Sequence, residues 1–154
     1  MRLSDQVAHS QHGRAAALAT LALRGRVDGL RNPQIDHAAR VASTFSTTDS
    51  PLQKCAAWLT GVLDSEVSAR DLLDAGILPA IVEAVLLLEK RPSYDDADYF
   101  LLIRRHKVAR EVMIARLNDE GAFWRTRQLR VDARESLKRK HLDAREALAE
   151  KDFD

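Results

Sequence analysis

Few residues in this chain have the type and spacing that chemistry demands. His9 and His12 lie three apart and would share a helix face, which suits two metal ligands, but no third ligand lies nearby, so surface histidines are expected. The single cysteine, Cys55, sits in the apolar run Cys55-Ala56-Ala57-Trp58-Leu59. A thiol there is a small buried hydrophobe rather than a nucleophile. With no second cysteine there is no internal disulfide, which points to a reducing, cytoplasmic setting. No Ser-His-Asp or Cys-His signature can be assembled, and the six glycines are scattered rather than gathered in a phosphate-binding loop. Phe123-Trp124-Arg125-Thr126-Arg127-Gln128-Leu129-Arg130 mixes aromatic rings with positive charge and could meet nucleic acid. The expected arrangement is that Phe123 and Trp124 anchor a loop to the core while the arginines face water.

Composition limits the partners further. The 154 residues suit one domain spanning 1–154, and a net charge of +1 provides no general pull toward nucleic acid or an anionic membrane. No stretch approaches the roughly 20 apolar residues of a membrane span. Neither a membrane nor a nucleic-acid partner is expected. Hydrophobic residues make up 45% and charged residues 31%, as in an ordinary soluble fold. Leu, Ala and Val dominate, aromatics are few, and no β-alternation of useful length occurs, so the expected class is all-α, with about seven or eight helices.

Punctuation divides the chain. Helical periodicity runs over about 4–24, and Gly25, Gly29, Asn32 and Pro33 then make a loop. A second helix is expected over about 34–45, with Ile35, Ala38, Ala39, Ala42 and Phe45 on its inner face. Asp49-Ser50-Pro51 predicts a capped start for a third helix over about 51–63, with Ser50 as cap. Ser68-Ala69-Arg70-Asp71 has capping-box spacing, and Gly76 would end the short helix that follows. The apolar helix over about 79–90 is expected to be central, and Arg91-Pro92-Ser93 to stop it. Further helices are expected over about 95–105 and 108–118. The stretch 122–130 reads as irregular, and a charged helix follows over about 132–150, within a C-terminal segment 131–151. Its apolar stripe (Leu137, His141, Leu142, Ala144, Leu148) could pack on its own domain or pair with a partner.

Three stretches together resemble the HD superfamily, most nearly the short stand-alone relatives of the (p)ppGpp hydrolase domain in RelA/SpoT-type proteins. Arg24-Gly25-Arg26-Val27-Asp28 through Pro33-Gln34-Ile35-Asp36-His37 is similar to the segment that supplies that family's first metal-binding histidine. Lys54 to Leu63 is similar to the helix bearing the His-Asp pair, and Glu66-Val67-Ser68-Ala69-Arg70-Asp71-Leu72 to its continuation. Ala109-Arg110-Glu111-Val112-Met113-Ile114-Ala115-Arg116-Leu117 is similar to the helix carrying the fourth ligand, an aspartate. The likeness covers about 22–117, two thirds of the chain.

The resemblance implies a multi-helix HD-like fold and a site around His37, Thr60, Gly61, Asp64 and Arg116, with Arg24 and Asp119 nearby. It also implies that the ligand set is broken. Thr60 and Gly61 stand where the His-Asp pair belongs, Arg116 stands where the fourth ligand belongs, and Asp64 is the remnant of an acidic pair. Gln34 replaces a tyrosine, and Gly29 a basic residue that helps hold phosphate. Two histidines and two carboxylates would suit a divalent ion such as manganese, whereas one imidazole facing a guanidinium would not. No metal cofactor is therefore expected. The implied function is that of a pseudo-enzyme kept as a nucleotide-, phosphate- or protein-binding module, or one acting through a homo-oligomer. The alternatives are a hydrolase rebuilt from His37, Asp64, Asp119 or His106, and a purely structural interaction protein. Arg116 would either grip a ligand phosphate or pair with Asp36, Asp64 or Asp119, while His37 would be a satisfied structural histidine beside Asp36 and Asp64.

Overall fold

A computed structural model describes residues 2–90 and 94–149. The expected stop at 91–93 lies outside the described residues. All the regular elements described are helical, and one isolated bridge, Val27 with Pro33, closes the base of the first loop. In chain order they are α1 (Asp5–Ala22), α2 (Gln34–Ser43), α3 (Pro51–Leu59), a 3-10 turn (Val62–Asp64), α4 (Ala69–Asp74), α5 (Pro79–Leu88), α6 (Asp96–Arg104), α7 (Lys107–Glu120), the short α8 (Phe123–Thr126) and α9 (Val131–Ala149). The all-α class holds.

The hub is α3, not the more hydrophobic α5. Cys55, Ala56, Ala57 and Leu59 are all fully buried, and α1, α2, α5 and α7 each pack on this one helix. Small side chains explain it. Ala and Cys let helix axes approach on several sides at once, and α1 answers with a fully buried alanine stripe of Ala8, Ala15 and Ala19. The larger residues of α5 bury Ile81, Val82, Val85 and Leu88 but leave Glu83 and Leu86 facing out. On α2 the inner face is Ala38, Val41 and Ala42, while Ile35 and Phe45 are partly buried at its edge. One hydrophobic cluster takes in residues from Ala15 on α1 to Leu148 on α9.

Caps follow local backbone geometry. Ser4 accepts from the Val7 amide at 3.2 Å, and Ser68 and Asp71 form a complete capping box. Ser50 does not cap α3: its backbone (φ −134, ψ 54) lies outside the extended region from which a side chain reaches the first amides. Nor does α3 run to Leu63. Thr60 turns extended and Gly61 adopts φ +84, so the helix ends at Leu59 and the chain swings into the 3-10 turn. Gly76 closes α4 at φ +90. There the buried Gln11 donates to the Gly76 carbonyl at 2.8 Å and accepts from the Leu78 amide at 2.9 Å, tying α1 to the α4–α5 turn.

Two expectations for the C-terminal third are corrected. Residues 123–126 form a helical turn, yet Phe123 is 77% exposed and anchors nothing. Trp124 lies at the surface under Arg40, whose guanidinium sits 4.8 Å from its ring. Nor do all the arginines face water, because Arg125 turns inward to Asp28 at 3.4 Å. On α9, Ala144 and Leu148 are buried against the domain, but Leu142 points outward. No helix among the described residues is long and apolar enough to cross a membrane.

Candidate functional site

Six separate elements supply the polar lining of one open cleft of about 260 Å³. His37 enters from α2, Thr60 and Gly61 from the end of α3, Asp64 from the 3-10 turn, and Arg116 with Glu120 from α7. Asp28, from the first loop, and Arg125, from α8, close one end. The break in α3 makes this convergence possible. The left-handed Gly61 turns the chain away from the helix axis and lays Asp64 along the cleft wall.

His37 is held from behind. Its Nδ1 lies 2.5 Å from Asp119 Oδ2, while Arg40 Nε donates to Asp119 Oδ1 at 2.7 Å and Arg40 Nη2 to Oδ2 at 3.1 Å. A carboxylate can only accept, so the proton sits on Nδ1, leaving Nε2 as the ring nitrogen free to meet a ligand. Burial opposes ionisation of Asp119, but the hydrogen bonds from Arg40 and His37 outweigh it and hold the carboxyl below its ordinary range. The partner of His37 is thus Asp119, not Asp36 or Asp64.

Arg116 is the more loosely held of the two guanidinium groups in the cleft, with the Tyr99 hydroxyl beside it. Its nearest carboxylate is Glu120, one turn on, at 3.9 Å, not Asp36, Asp64 or Asp119, and its Nε is buried without a hydrogen bond. Glu120 is shared with His141 of α9 at 3.4 Å. The Thr60 hydroxyl is likewise buried and unpartnered, in a residue only 7% exposed. Two buried polar atoms at one cleft without protein partners are the kind of exception that a bound ligand or water removes. Tyr99 lies nearby. Burial raises its phenol pKa, against the charge of Arg116 and a hydrogen bond from that guanidinium, and its hydroxyl donates to the Leu88 carbonyl at 2.5 Å.

Asp28 is organised by its own loop. Its carboxylate accepts from the Leu30 and Asn32 amides at 2.8 and 3.0 Å and faces Arg125. Burial again works against ionisation, yet these amides and Arg125 keep the carboxyl low. Asp64 has no side-chain partner among the described residues, although its backbone carbonyl accepts from Arg26 at 3.1 Å.

The remaining residues singled out in the sequence stay outside. Arg24 is exposed and does not line the cleft, and Asp119 lies behind His37 rather than in it. His106 caps α7 by accepting from the Ala109 amide at 3.2 Å. His9 is exposed. His12, expected at the surface, tucks its buried Nε2 toward Trp58, with ring centroids 6.2 Å apart. Cys55 is buried, and desolvation pushes its thiol up to about 12. Asp28, Glu120 and Arg125 were not foreseen as cleft residues. Glu120 lies four residues beyond Arg116, but the helix was expected to end near 118, two residues short of it.

A divalent metal does not fit this arrangement. Among the described residues no three His, Cys, Asp or Glu side chains gather to hold an ion. The one imidazole in the cleft shares it with the cation of Arg116. No protein-family model matches the chain, and no curated protein matches it significantly.

Proposed function

We propose that this chain is a non-catalytic relative of the HD phosphohydrolases, kept as a metal-free module that binds a ligand through a phosphate or comparable oxyanion. One observation carries the reading: the under-satisfied guanidinium of Arg116 lines the same cleft as His37, Thr60 and Asp64, where the resemblance would put the metal. A guanidinium offers a fixed positive charge and a planar fork of donors, which suits an oxyanion and repels a metal ion. The cleft is open and carries charged side chains on its walls, which favours ligand binding over a purely structural role. The rebuilt-hydrolase alternative loses Asp119 to the Arg40 ion pair and His106 to the cap of α7. A reducing, cytoplasmic setting accords with the single buried thiol.

Thermal unfolding tests the reading. Ethyl phosphate or GDP at about ten times its dissociation constant should stabilise the protein by about 1.4 kcal/mol, or roughly 3–6 °C. Arg116→Ala should abolish that shift. Millimolar manganese should give neither a comparable shift nor phosphate release from (p)ppGpp, and manganese-dependent turnover would overturn the reading.

A further inference from the structure

The charges around the cleft do not suit a polyanion. Two guanidinium groups, Arg116 and Arg125, face three carboxylates, Asp28, Asp64 and Glu120. Arg125 is occupied by Asp28, and Glu120 is divided between His141 and Arg116. That leaves one cation held only by the Tyr99 hydroxyl and a distant Glu120, Arg116, and one carboxylate without a side-chain partner among the described residues, Asp64, on the walls of the same cleft. The two also share a smaller neighbouring depression of about 150 Å³, so they stand on adjoining wall rather than at opposite ends of the molecule. They nevertheless form no ion pair with each other within 4 Å. A nucleoside polyphosphate would set several negative charges against Asp64 and Glu120 for the sake of one guanidinium, and like charges so placed repel. At about 260 Å³ the cleft also falls below the roughly 300–1,000 Å³ of pockets for drug-sized ligands.

We infer that the cleft takes a small zwitterion, its oxyanion held by Arg116 and the Thr60 hydroxyl and its ammonium group by Asp64. The buried, unpartnered Thr60 hydroxyl supplies the second donor an oxyanion needs, and the orphaned Arg116 Nε gains an acceptor. Asp64, exposed and without a side-chain partner among the described residues, gains a cation. His37, oriented by Asp119, lines the same cleft. The inference rests on the metal-free binding reading above and narrows its ligand.

The test uses the whole chain and five probes titrated by calorimetry: phosphoethanolamine, ethyl phosphate, β-alanine, propionate and GDP. Each zwitterion should bind at least tenfold tighter than its amine-free counterpart, and GDP no tighter than ethyl phosphate. Whichever of phosphoethanolamine and β-alanine binds better identifies the oxyanion as phosphate or carboxylate. Asp64→Asn should bring each zwitterion down to the level of its counterpart while leaving ethyl phosphate unweakened. Thr60→Val, which keeps the shape and removes the hydroxyl, should weaken zwitterion and counterpart by the same several-fold factor. Asp64 is exposed, so a folding failure in its variant is not expected, and helical circular dichroism checks it. If GDP or ethyl phosphate binds best in an Arg116-dependent manner, the zwitterion inference fails while the binding reading stands. If no probe binds the wild-type chain, both fail.

Discussion

Asp119 shows how much of the cleft depends on a residue that does not line it. Its side chain is 11% exposed and bonded to both Arg40 and His37. Removing it strands one cation and frees the imidazole. Breaking a buried pair typically costs 3–5 kcal/mol, and because the Arg40 side chain is 36% exposed the expectation here is about 2–3 kcal/mol for Asp119→Ala. Urea unfolding of the variant measures it. The sign with pH follows from the direction of the shift. The folded carboxyl titrates below its unfolded value near 4, so its contribution is complete above that value and disappears as pH falls through the folded one. The wild type should therefore lose stability more steeply below about pH 4 than Asp119→Asn does. Legibility at this scale was uneven. The resemblance proposed from the sequence singled out His37, Thr60, Gly61, Asp64 and Arg116, and all five line the cleft. The Arg40–Asp119 pair was invisible because its members lie 79 residues apart, and only packing of α2 against α7 makes them neighbours.

Among the elements, the break between α3 and the 3-10 turn shapes the cleft. A Cβ on Gly61 would meet nothing within 4 Å, so Gly61→Ala isolates the backbone cost of φ +84 from any clash. The expected loss is about 1–2 kcal/mol, with weaker binding of any cleft ligand if Asp64 is displaced. Chemical denaturation separates the first effect, and titration the second. The sequence signals for helix ends worked where the backbone agreed with them. Ser68 with Asp71 caps α4 as its spacing predicted, and Ser68→Ala should cost about 1 kcal/mol, read from the urea midpoint. Ser50-Pro51 carried as good a signal, yet Ser50 makes no cap: its backbone leaves the extended region, and its amide donates to the Ser46 carbonyl at 3.0 Å. The early end of α3 was not legible either, because Val62 and Leu63 continue the apolar pattern past the point where Gly61 turns the chain.

Across the whole molecule, the all-α class followed from composition and periodicity, whereas the choice of hub did not. Hydrophobicity ranks α5 above α3, but the centre of a helical packing goes to the element thin enough to be surrounded, and Cys55, Ala56 and Ala57 make α3 that element. Its neighbour α1 brings the half-buried His12 against Trp58 of α3. Desolvation, then the positive charge of Lys54 and of His9, lowers the His12 pKa below its usual 6.5. The unfolded chain therefore binds this proton more readily, and the stability His12 contributes is complete above about pH 6.5 and falls as acid is added. The urea midpoint should drop between pH 7.5 and 5.5, and His12→Leu should flatten that drop.

The stack of Arg40 on Trp124 has an experimental use. Arg40 touches the indole with its planar group and Asp119 with its N–H donors, and Asp119 in turn holds the imidazole that faces the cleft. A change at His37 thus has three contacts to cross before it reaches a surface fluorophore. With Trp58 partly buried against the core and only two tryptophans in the chain, excitation in a Trp58→Phe background would leave Trp124 alone to emit. If the cleft binds a ligand as proposed, the Trp124 emission should shift on titration, a readout that needs no attached dye and no turnover.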